Sequence, residues 1–227
     1  MSWIFCLLPE IAAGVLLLIP LLLLYQKLFF HSWKRTFLYL VFGAYLTAVL
    51  CFVGFPNIRY IRFDANVNLI PFGGGADSLR NTLLNVLLFI PLGFLLPLLW
   101  QRYRNMGNTM LFAFFATLTI ELSQLLSFRA TDVDDLITNF IGAFCGYLLA
   151  KVCTKGFTKH LGVSNPKSHL ALLCGTVLVV MFFLQPFLYP LFYLRNMGLL
   201  FRQARVLYYD RFSLGNLRNC NLKNTSL

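Results

Sequence analysis

The stretch TLTIELSQLLSFRATDVDDLITNFIGAFCGYLLAK, residues 117–151, places acidic and amide side chains in a chain that is otherwise mostly apolar. Within it, Glu121 belongs to an apolar run that is long enough to cross a membrane. An ionisable residue at such a position is costly unless it finds a partner or a water-filled cavity, so it marks a candidate functional site. The rest of the sequence is interpreted around Glu121 and the aspartates that follow it.

The composition indicates an integral membrane protein. Of the 227 residues, 59% are hydrophobic and 12% are charged, and this charged share is about half that of an average soluble domain. The apolar residues form blocks of about 20 residues, the length that an α-helix needs to cross the hydrocarbon core. The short alternating segments of a transmembrane β-barrel are not visible. The sequence therefore predicts an all-α fold, a polytopic transmembrane helical bundle.

Six apolar segments can be delimited. They cover residues 4–25, 36–55, 81–100, 109–128, 133–153 and 170–194. The sixth contains Pro186 and Pro190, which favour a kink or a re-entrant segment, so we expect five to six spans. The chain accordingly divides into an N-terminal span with a cytoplasmic loop (1–35), a transmembrane core (36–153), and a basic loop, further span and basic tail (154–227).

The basic residues are unevenly distributed between the loops. Nine Lys and Arg residues lie in the loops after segments one, three and five, and four lie in the loops after segments two and four. Because cytoplasmic loops carry the excess of basic residues, the loops after segments two and four are predicted to lie outside the cytoplasmic membrane. The tail carries six more basic residues and disagrees with this arrangement if all six segments cross.

The formal net charge of +11 favours membrane lipids with anionic headgroups as partners. A nucleic acid is not expected, because the basic residues are scattered through short loops and the tail and do not cluster on a soluble domain. The six cysteines show no CxxC pair or metal-ligand spacing, and no cofactor motif occurs. The sequence therefore predicts no metal site and names no cofactor.

Helix parity places the loops after segments two and four on the same side of the membrane, so the polar residues of three helix ends and two loops converge. Asn81 and Asn85 share one face of the third helix, and Glu121 and Gln124 share one face of the fourth. The candidate ligand-binding residues are Arg62, Asn68, Asn81, Asn85, Gln124, Arg129, Asp132 and Asn139, and the candidate catalytic residues, if the protein is an enzyme, are Glu121, Asp134 and Asp135.

Each of these features also has a purely structural interpretation. Aspartates in the first turn of a helix cap it and complement its dipole. The pair Gly142 and Gly146 is typical of close helix packing, and Asn81 and Asn85 can bond neighbouring helices as well as a ligand. Glu121 needs a buried partner in either case.

Four motifs in the core segment occur together. They are NLIPF at 68–72, NxxxNxxxFxPxG at 81–93, ExxQ at 121–124, and RxxDxDDxxxNxxGxxxG at 129–146. In this combination, which spans roughly residues 40–153, the chain resembles the VanZ-like family of bacterial membrane proteins. The resemblance implies a multi-pass protein of the cytoplasmic membrane and, for named members, protection against glycopeptide antibiotics that bear a lipid tail, such as teicoplanin.

Three classes of function fit these residues. The first is a non-enzymatic protein that binds an amphiphile at the outer face, such as a lipoglycopeptide or a lipid-linked wall precursor, with Arg59 and other arginines holding a phosphate or carboxylate. The second is a membrane-embedded enzyme that acts on lipid-linked phosphate or glycan substrates through Glu121 and Asp134 or Asp135, since paired carboxylates supply acid and base or hold a divalent ion. Transport is the least favoured, because no internal repeat is present.

Overall fold

The structure is a computed structural model that describes part of the chain. The described part is predominantly helical. The described ranges are 2–59, 61, 63, 67–68, 76–127, 131–161 and 167–188, with side chains described at 7–59, 61, 63, 81–127, 133–153 and 168–188. Residues 1–187 form one compact unit, and 188–227 form a second, of which only Leu188 is described. Pro190 and the basic tail therefore lie outside the described residues.

Six α-helices account for nearly all of the described chain. They are α1 (Ser2–Tyr25), α2 (Trp33–Val53), α3 (Ala76–Leu99), α4 (Met106–Gln124), α5 (Val133–Leu161) and α6 (Lys167–Val179). Single π-helical turns at Gln26–Phe30 and Val180–Leu184 follow α1 and α6, and a 3₁₀ turn at Gln101–Arg104 separates α3 from α4. Two strands of two residues each, β1 (Val67–Asn68) and β2 (Thr131–Asp132), complete the described elements. The prediction of an all-α bundle is confirmed.

Within the described residues, five helical segments are long and apolar enough to cross a membrane. They are Leu7–Phe30, Trp33–Val53, Asn81–Leu99, Val133–Cys153 and Ser168–Leu188. The prediction of a multi-pass protein with five to six spans is thereby confirmed. The sequence raised doubt about the sixth segment, but the segment that is missing from these five spans is the fourth. The sixth segment qualifies, whereas α4 does not, because Asn108, Glu121 and several threonines lower its hydropathy.

Side-chain contacts fix the directions in which α2, α3 and α5 run. Tyr39 near the start of α2 stacks on Trp100 just after α3, with ring centroids 5.5 Å apart, and Tyr45 donates to the carbonyl of Leu88 at 2.8 Å. These two helices are therefore antiparallel. In contrast, α3 and α5 run in the same direction, because positions 86 and 90 meet positions 142 and 146 in that order.

The fourth helix consequently has to carry the chain back across the bundle. At its start, Thr109 donates to the carbonyl of Tyr103 at 2.5 Å, and at its end Gln124 donates to the carbonyl of Val53 at 3.3 Å. Its 19 residues measure about 28 Å at 1.5 Å per residue, close to the thickness of a hydrocarbon core. We name the end where α2 and α4 end and α3 and α5 begin the polar end, and the end that carries Gln101–Arg104 the basic end.

The contact between α3 and α5 depends on three glycines. A Cβ atom on Gly93 would overlap the carbonyl oxygen of Ala143, and Cβ atoms on Gly142 and Gly146 would overlap carbonyl oxygens of α3. Only glycine lets the two backbones approach this closely, as in other small-xxx-small helix pairs. The structure thus uses Gly142 and Gly146 for packing.

A proline explains how α6 meets the loop after α2. Pro186 has no N–H, so it cannot bond to the carbonyl of Phe182 one helical turn earlier. The backbone N–H of Ile58 donates to that carbonyl instead, at 3.1 Å. At the other end of the helix, His169 lies 3.3 Å from the hydroxyl of Tyr39. Helix α6 therefore runs parallel to α2, from the basic end to the polar end.

Candidate functional site

Strands β1 and β2 join the loops that precede α3 and α5. They pair in parallel, with Val67 opposite Thr131 and Asn68 opposite Asp132. Parallel strands need a long crossover, which here consists of α3, the 3₁₀ turn and α4. The candidate ligand residues Asn68 and Asp132 are 64 positions apart in the sequence. They are nevertheless paired directly across the two strands.

Some predicted site residues cannot be placed. The side chains of Asn68 and Asp132 lie outside the described residues, as do Arg62 and Arg129 entirely. The ligand-binding roles predicted for these four residues remain predictions.

A polar contact connects α3 to α5 at the polar end. The side-chain amide of Asn85 donates to Oδ1 of Asp135 at 2.5 Å. Hydrogen bonds to a carboxylate are stronger than those between neutral groups. Asn81, one turn earlier on the same face of α3, is exposed. The two asparagines lie on the same face of α3, but they have different surroundings.

The polar face of α4 is buried inside the bundle. Thr117, Glu121 and Gln124 are exposed by 1%, 4% and 3%. The Nε2 group of Gln124 donates to the carbonyl of Val53, the last residue of α2, whose carbonyl has no partner within its own helix. This bond fixes the orientation of the Gln124 amide, because only its nitrogen can donate.

Adjacent aspartates at the start of α5 have different environments. Asp134 is 5% exposed, whereas Asp135 is half-buried and faces Asn85. Thr138 donates its hydroxyl to the carbonyl of Asp134 at 2.8 Å, and Asn139, one turn beyond Asp135, is 2% exposed. A carboxylate in the first turn also interacts favourably with the helix dipole.

Three buried polar atoms at this end have no hydrogen-bond partner among the residues described. They are Oγ1 of Thr117, Oε1 of Gln124 and Oδ1 of Asn139. Most buried polar atoms in proteins are paired, so an unpaired one calls for an explanation such as a bound water or ligand. Two of the three are amide oxygens, which only accept. The interior of the polar end therefore contains acceptors that no described residue uses.

The described carboxylates do not form a metal centre of the usual kind. Within the described part of the chain, no three His, Cys, Asp or Glu side chains come close enough together to hold one ion. Glu121, Asp134 and Asp135 are therefore not a three-carboxylate ligand set. Asp132, whose side chain is not described, is not part of this comparison.

Among the described residues, two open cavities lie at the other end of the bundle. They measure about 170 and 190 Å³ and are lined by residues of the 3₁₀ turn, α4 and α6. No predicted site residue lines either of them. Glu121 and Asp134 are enclosed by the surrounding helices and do not line these cavities.

Sequence reasoning missed one residue, and the structure shows contacts of another that the sequence did not predict. Glu10 is a carboxylate within the apolar span of α1, and the rule that singled out Glu121 applies to it equally. Arg59, proposed as an anion contact, donates to the carbonyl of Pro186 at 3.1 Å and lies 5.0 Å above the ring of Phe187. These contacts hold the loop after α2 against α6.

Comparison with known proteins identifies the family. Residues 42–154 match the VanZ/LLP1 family model, and this segment contains all the candidate site residues. The chain is also similar to Protein VanZ of Enterococcus faecium, with 36% identity over 93 residues, which are 40% of this chain and 55% of that protein. The chain thus spans about half the length of this curated relative. No solved structure matches it. Through the segment 42–154, this chain belongs to the VanZ-like family.

Proposed function

We propose that this protein binds an amphiphilic or lipid-linked cell-envelope ligand at the polar end, on the outer face of the cytoplasmic membrane, and thereby protects against lipoglycopeptide antibiotics such as teicoplanin. The observation that carries the proposal is the set of buried polar atoms without a described partner, on Thr117, Gln124 and Asn139. A ligand with several hydrogen-bond donors would satisfy these atoms. Each such hydrogen bond would be stronger than one in water, because the local dielectric constant is low in a buried position.

The chemistry of the polar end suits the head of an amphiphile. Sugar hydroxyls and peptide N–H groups are donors, and the polar end offers amide oxygens together with the carboxylates of Glu121 and Asp134. Leu83, Leu84 and Leu87, beside Asn85 on α3, are exposed and present an apolar face to the lipid. A lipid tail on the ligand would lie against this face while the head reaches the polar atoms.

The predicted orientation supports an outer-face site. Lys34, Arg35, Arg102 and Arg104 all lie at or near the basic end, where α2 begins and α3 ends. The excess of basic residues marks the cytoplasmic side. The polar end would then face outward, towards antibiotics and lipid-linked wall precursors.

Antibiotic susceptibility tests the proposal. The chain is expressed in a teicoplanin-susceptible host that lacks other VanZ-like proteins, and minimal inhibitory concentrations are measured for teicoplanin and for a glycopeptide without a lipid tail. We expect the wild type to raise the teicoplanin value selectively. Gln124→Leu removes the side-chain amide and Glu121→Gln removes the carboxylate charge of the proposed site, and both should abolish this increase.

The matched control is Glu10→Gln, which also neutralises a carboxylate within a span but lies in α1. It should retain protection at equal expression, measured by immunoblot of the membrane fraction. Equal protection by wild type, Glu121→Gln and Gln124→Leu would contradict the proposed site. Equal protection against both antibiotics would contradict recognition of the lipid tail.

A second candidate function is catalysis on lipid-linked phosphate or glycan substrates. The observation that favours it is the burial of two carboxylates, Glu121 and Asp134, on helices α4 and α5, which pack against each other. One could act as acid and the other as base. Purified protein in lipid nanodiscs would be incubated with lipid-linked diphosphate and glycan substrates, with and without Mg²⁺. Turnover that is lost in both Glu121→Gln and Asp134→Asn supports an enzyme, and no turnover by the wild type argues against it.

A further inference from the structure

The 3₁₀ turn at the basic end is held by an unusual number of side chains. Three consecutive backbone carbonyls, those of residues 102, 103 and 104, each accept a hydrogen bond from a side chain. The donors are Asn108 at 3.0 Å, Thr109 at 2.5 Å and Tyr147 at 2.8 Å. Side-chain bonds to the backbone on this scale fix the turn in one conformation. The side chains that it carries are therefore presented in a defined place.

Two cavities adjoin this turn. Arg102, Tyr103 and Phe112 line both of them. The first cavity, of about 170 Å³, extends along α6 to Leu170, and the second, of about 190 Å³, extends along α4 to Phe115. Tyr103 and Phe112 form an edge-to-face pair, with ring centroids 5.5 Å apart, that borders both cavities. The guanidinium group of Arg102 is thus the charged group that lines these two mostly apolar grooves.

The first cavity also has a buried donor in its wall. Trp100 is 2% exposed, and its Nε1–H has no acceptor in the part of the chain that the structure describes. Its ring stacks on Tyr39 and lies edge-on to Phe42, so it is held in place. A buried N–H without an acceptor is costly, so an acceptor oxygen supplied from outside the described residues would stabilise Trp100.

The position of the turn matches the headgroup level of a bilayer. The span Asn81–Leu99 ends three residues before Arg102, and no Asp or Glu lines either cavity. Leu111 and Phe115, in the second groove, are 56% and 55% exposed and so face the lipid. Tyr and Trp side chains are common at this level.

We propose that this turn binds one anionic phospholipid. Its phosphate lies on Arg102, its glycerol-ester region beside Trp100 and Tyr103, and its two acyl chains in the grooves towards α6 and α4. A diacyl lipid fits this arrangement because one acidic head is joined to two apolar chains, as one arginine is joined to two apolar grooves. A free phosphate would leave both grooves empty. The site is independent of the polar end and of the proposed ligand there.

Fluorescence of Trp100 provides the test. The chain has three tryptophans, so Trp3→Phe together with Trp33→Phe leaves Trp100 as the single emitter. The protein is reconstituted in phosphatidylcholine vesicles that contain increasing fractions of a brominated lipid. This lipid is either phosphatidylglycerol or phosphatidylcholine, and in both cases the bromine lies near the ester end of the acyl chains. Because Trp100 is almost completely buried, lipid in the bulk bilayer should quench it weakly.

We expect brominated phosphatidylglycerol to associate about fivefold better than brominated phosphatidylcholine, the preference that one basic side chain near an anionic headgroup supplies. Arg102→Gln should remove most of this preference. The matched control is Arg104→Gln, since Arg104 belongs to the same turn and lines neither cavity. It should keep most of the preference.

A second variant separates the cavity from the charge. Ala171 is exposed and lines the first cavity, so Ala171→Phe should fill the groove without disturbing the fold, and should reduce quenching with Arg102 still present. The proposal is overturned if the wild type shows no preference, if Arg102→Gln and Arg104→Gln lose it equally, or if Ala171→Phe has no effect. Competition by inorganic phosphate would also overturn it, because a site for a free anion would then explain the data.

Discussion

Asn85 on α3 donates a hydrogen bond to Asp135 on α5 at the polar end, beside the point where Val86 and Gly142 bring the two backbones into contact. Asp135 and Gly142 lie two turns apart on one face of α5, so the polar contact and the glycine contact set the same helix register. The geometry of the candidate site therefore depends on the packing of a helix pair.

The Asn85 contact should contribute measurably to stability. Asn85→Leu leaves the Asp135 carboxylate without this donor, and loss of a hydrogen bond to a charged group costs about 1.5–3 kcal/mol. We expect a lower free energy of unfolding in mild detergent, measured by denaturant titration. Asn81→Leu is the control, because Asn81 is exposed on the same face. Equal destabilisation by the two variants would contradict a specific role of the Asn85 bond.

The glycines at the crossing of α3 and α5 should tolerate no side chain. Gly146→Ala would drive a Cβ into the carbonyl of Ile90, and overpacking of this kind costs about 1–3 kcal/mol or more. The control is Gly175→Ala in α6, where no atom lies within 4 Å of the added Cβ.

Alanine is a better helix former than glycine by about 1 kcal/mol, so Gly175→Ala should be neutral or slightly stabilising. Thermal unfolding of both variants in the same detergent measures the difference between them. An unchanged midpoint for Gly146→Ala would show that the two helices are further apart than described.

The bond from Ile58 to Phe182 should depend on Pro186. Pro186→Ala restores a backbone N–H that can donate to the Phe182 carbonyl one helical turn earlier. The Ile58 amide then loses its acceptor. Hydrogen exchange measured by mass spectrometry should then be faster at Ile58. Pro20→Ala, at an exposed position of α1, should leave exchange at Ile58 unchanged. Slow exchange in Pro186→Ala would show that another group protects this amide.

The amide of Gln124 should stabilise the end of α2 as well as serve the proposed site. Gln124→Leu leaves the Val53 carbonyl without its donor in a buried position, which costs about 1–3 kcal/mol. Gln124→Met, which has a similar volume and also lacks the donor, should lose a similar amount. If only one of the two variants loses stability, side-chain shape and not the hydrogen bond is responsible. Denaturant titration distinguishes these outcomes.

Local sequence patterns predicted the helices well, because each span has to satisfy its backbone hydrogen bonds internally and is therefore visible as a continuous apolar block. The same reasoning doubted the sixth segment because it contains Pro186. In the structure, a loop far away in sequence supplies the hydrogen bond that Pro186 cannot make. A pattern confined to one segment contains no information about such a partner.

The candidate site was predictable in part for the same reason. Spacing placed Asn81 and Asn85 on one face. It could not show that Asn85 contacts Asp135, because this contact depends on how close α3 and α5 come. Helix parity brought together the two loops that β1 and β2 join. Glu10 was overlooked, although its position in an apolar span was visible in the sequence.

The limited apolarity of α4 has a consequence for how the protein is made. A carboxylate within a membrane-spanning helix is costly to place in lipid, so Glu121 lowers the free energy that α4 gains from the bilayer. Its polar face is buried by its neighbours, with Gln124 bonded to the end of α2 and α5 packed alongside. We therefore expect the insertion of α4 to become fully stable only after α5 has followed it into the membrane, because a chain that stops after Gln124 lacks the part of this cover that α5 provides.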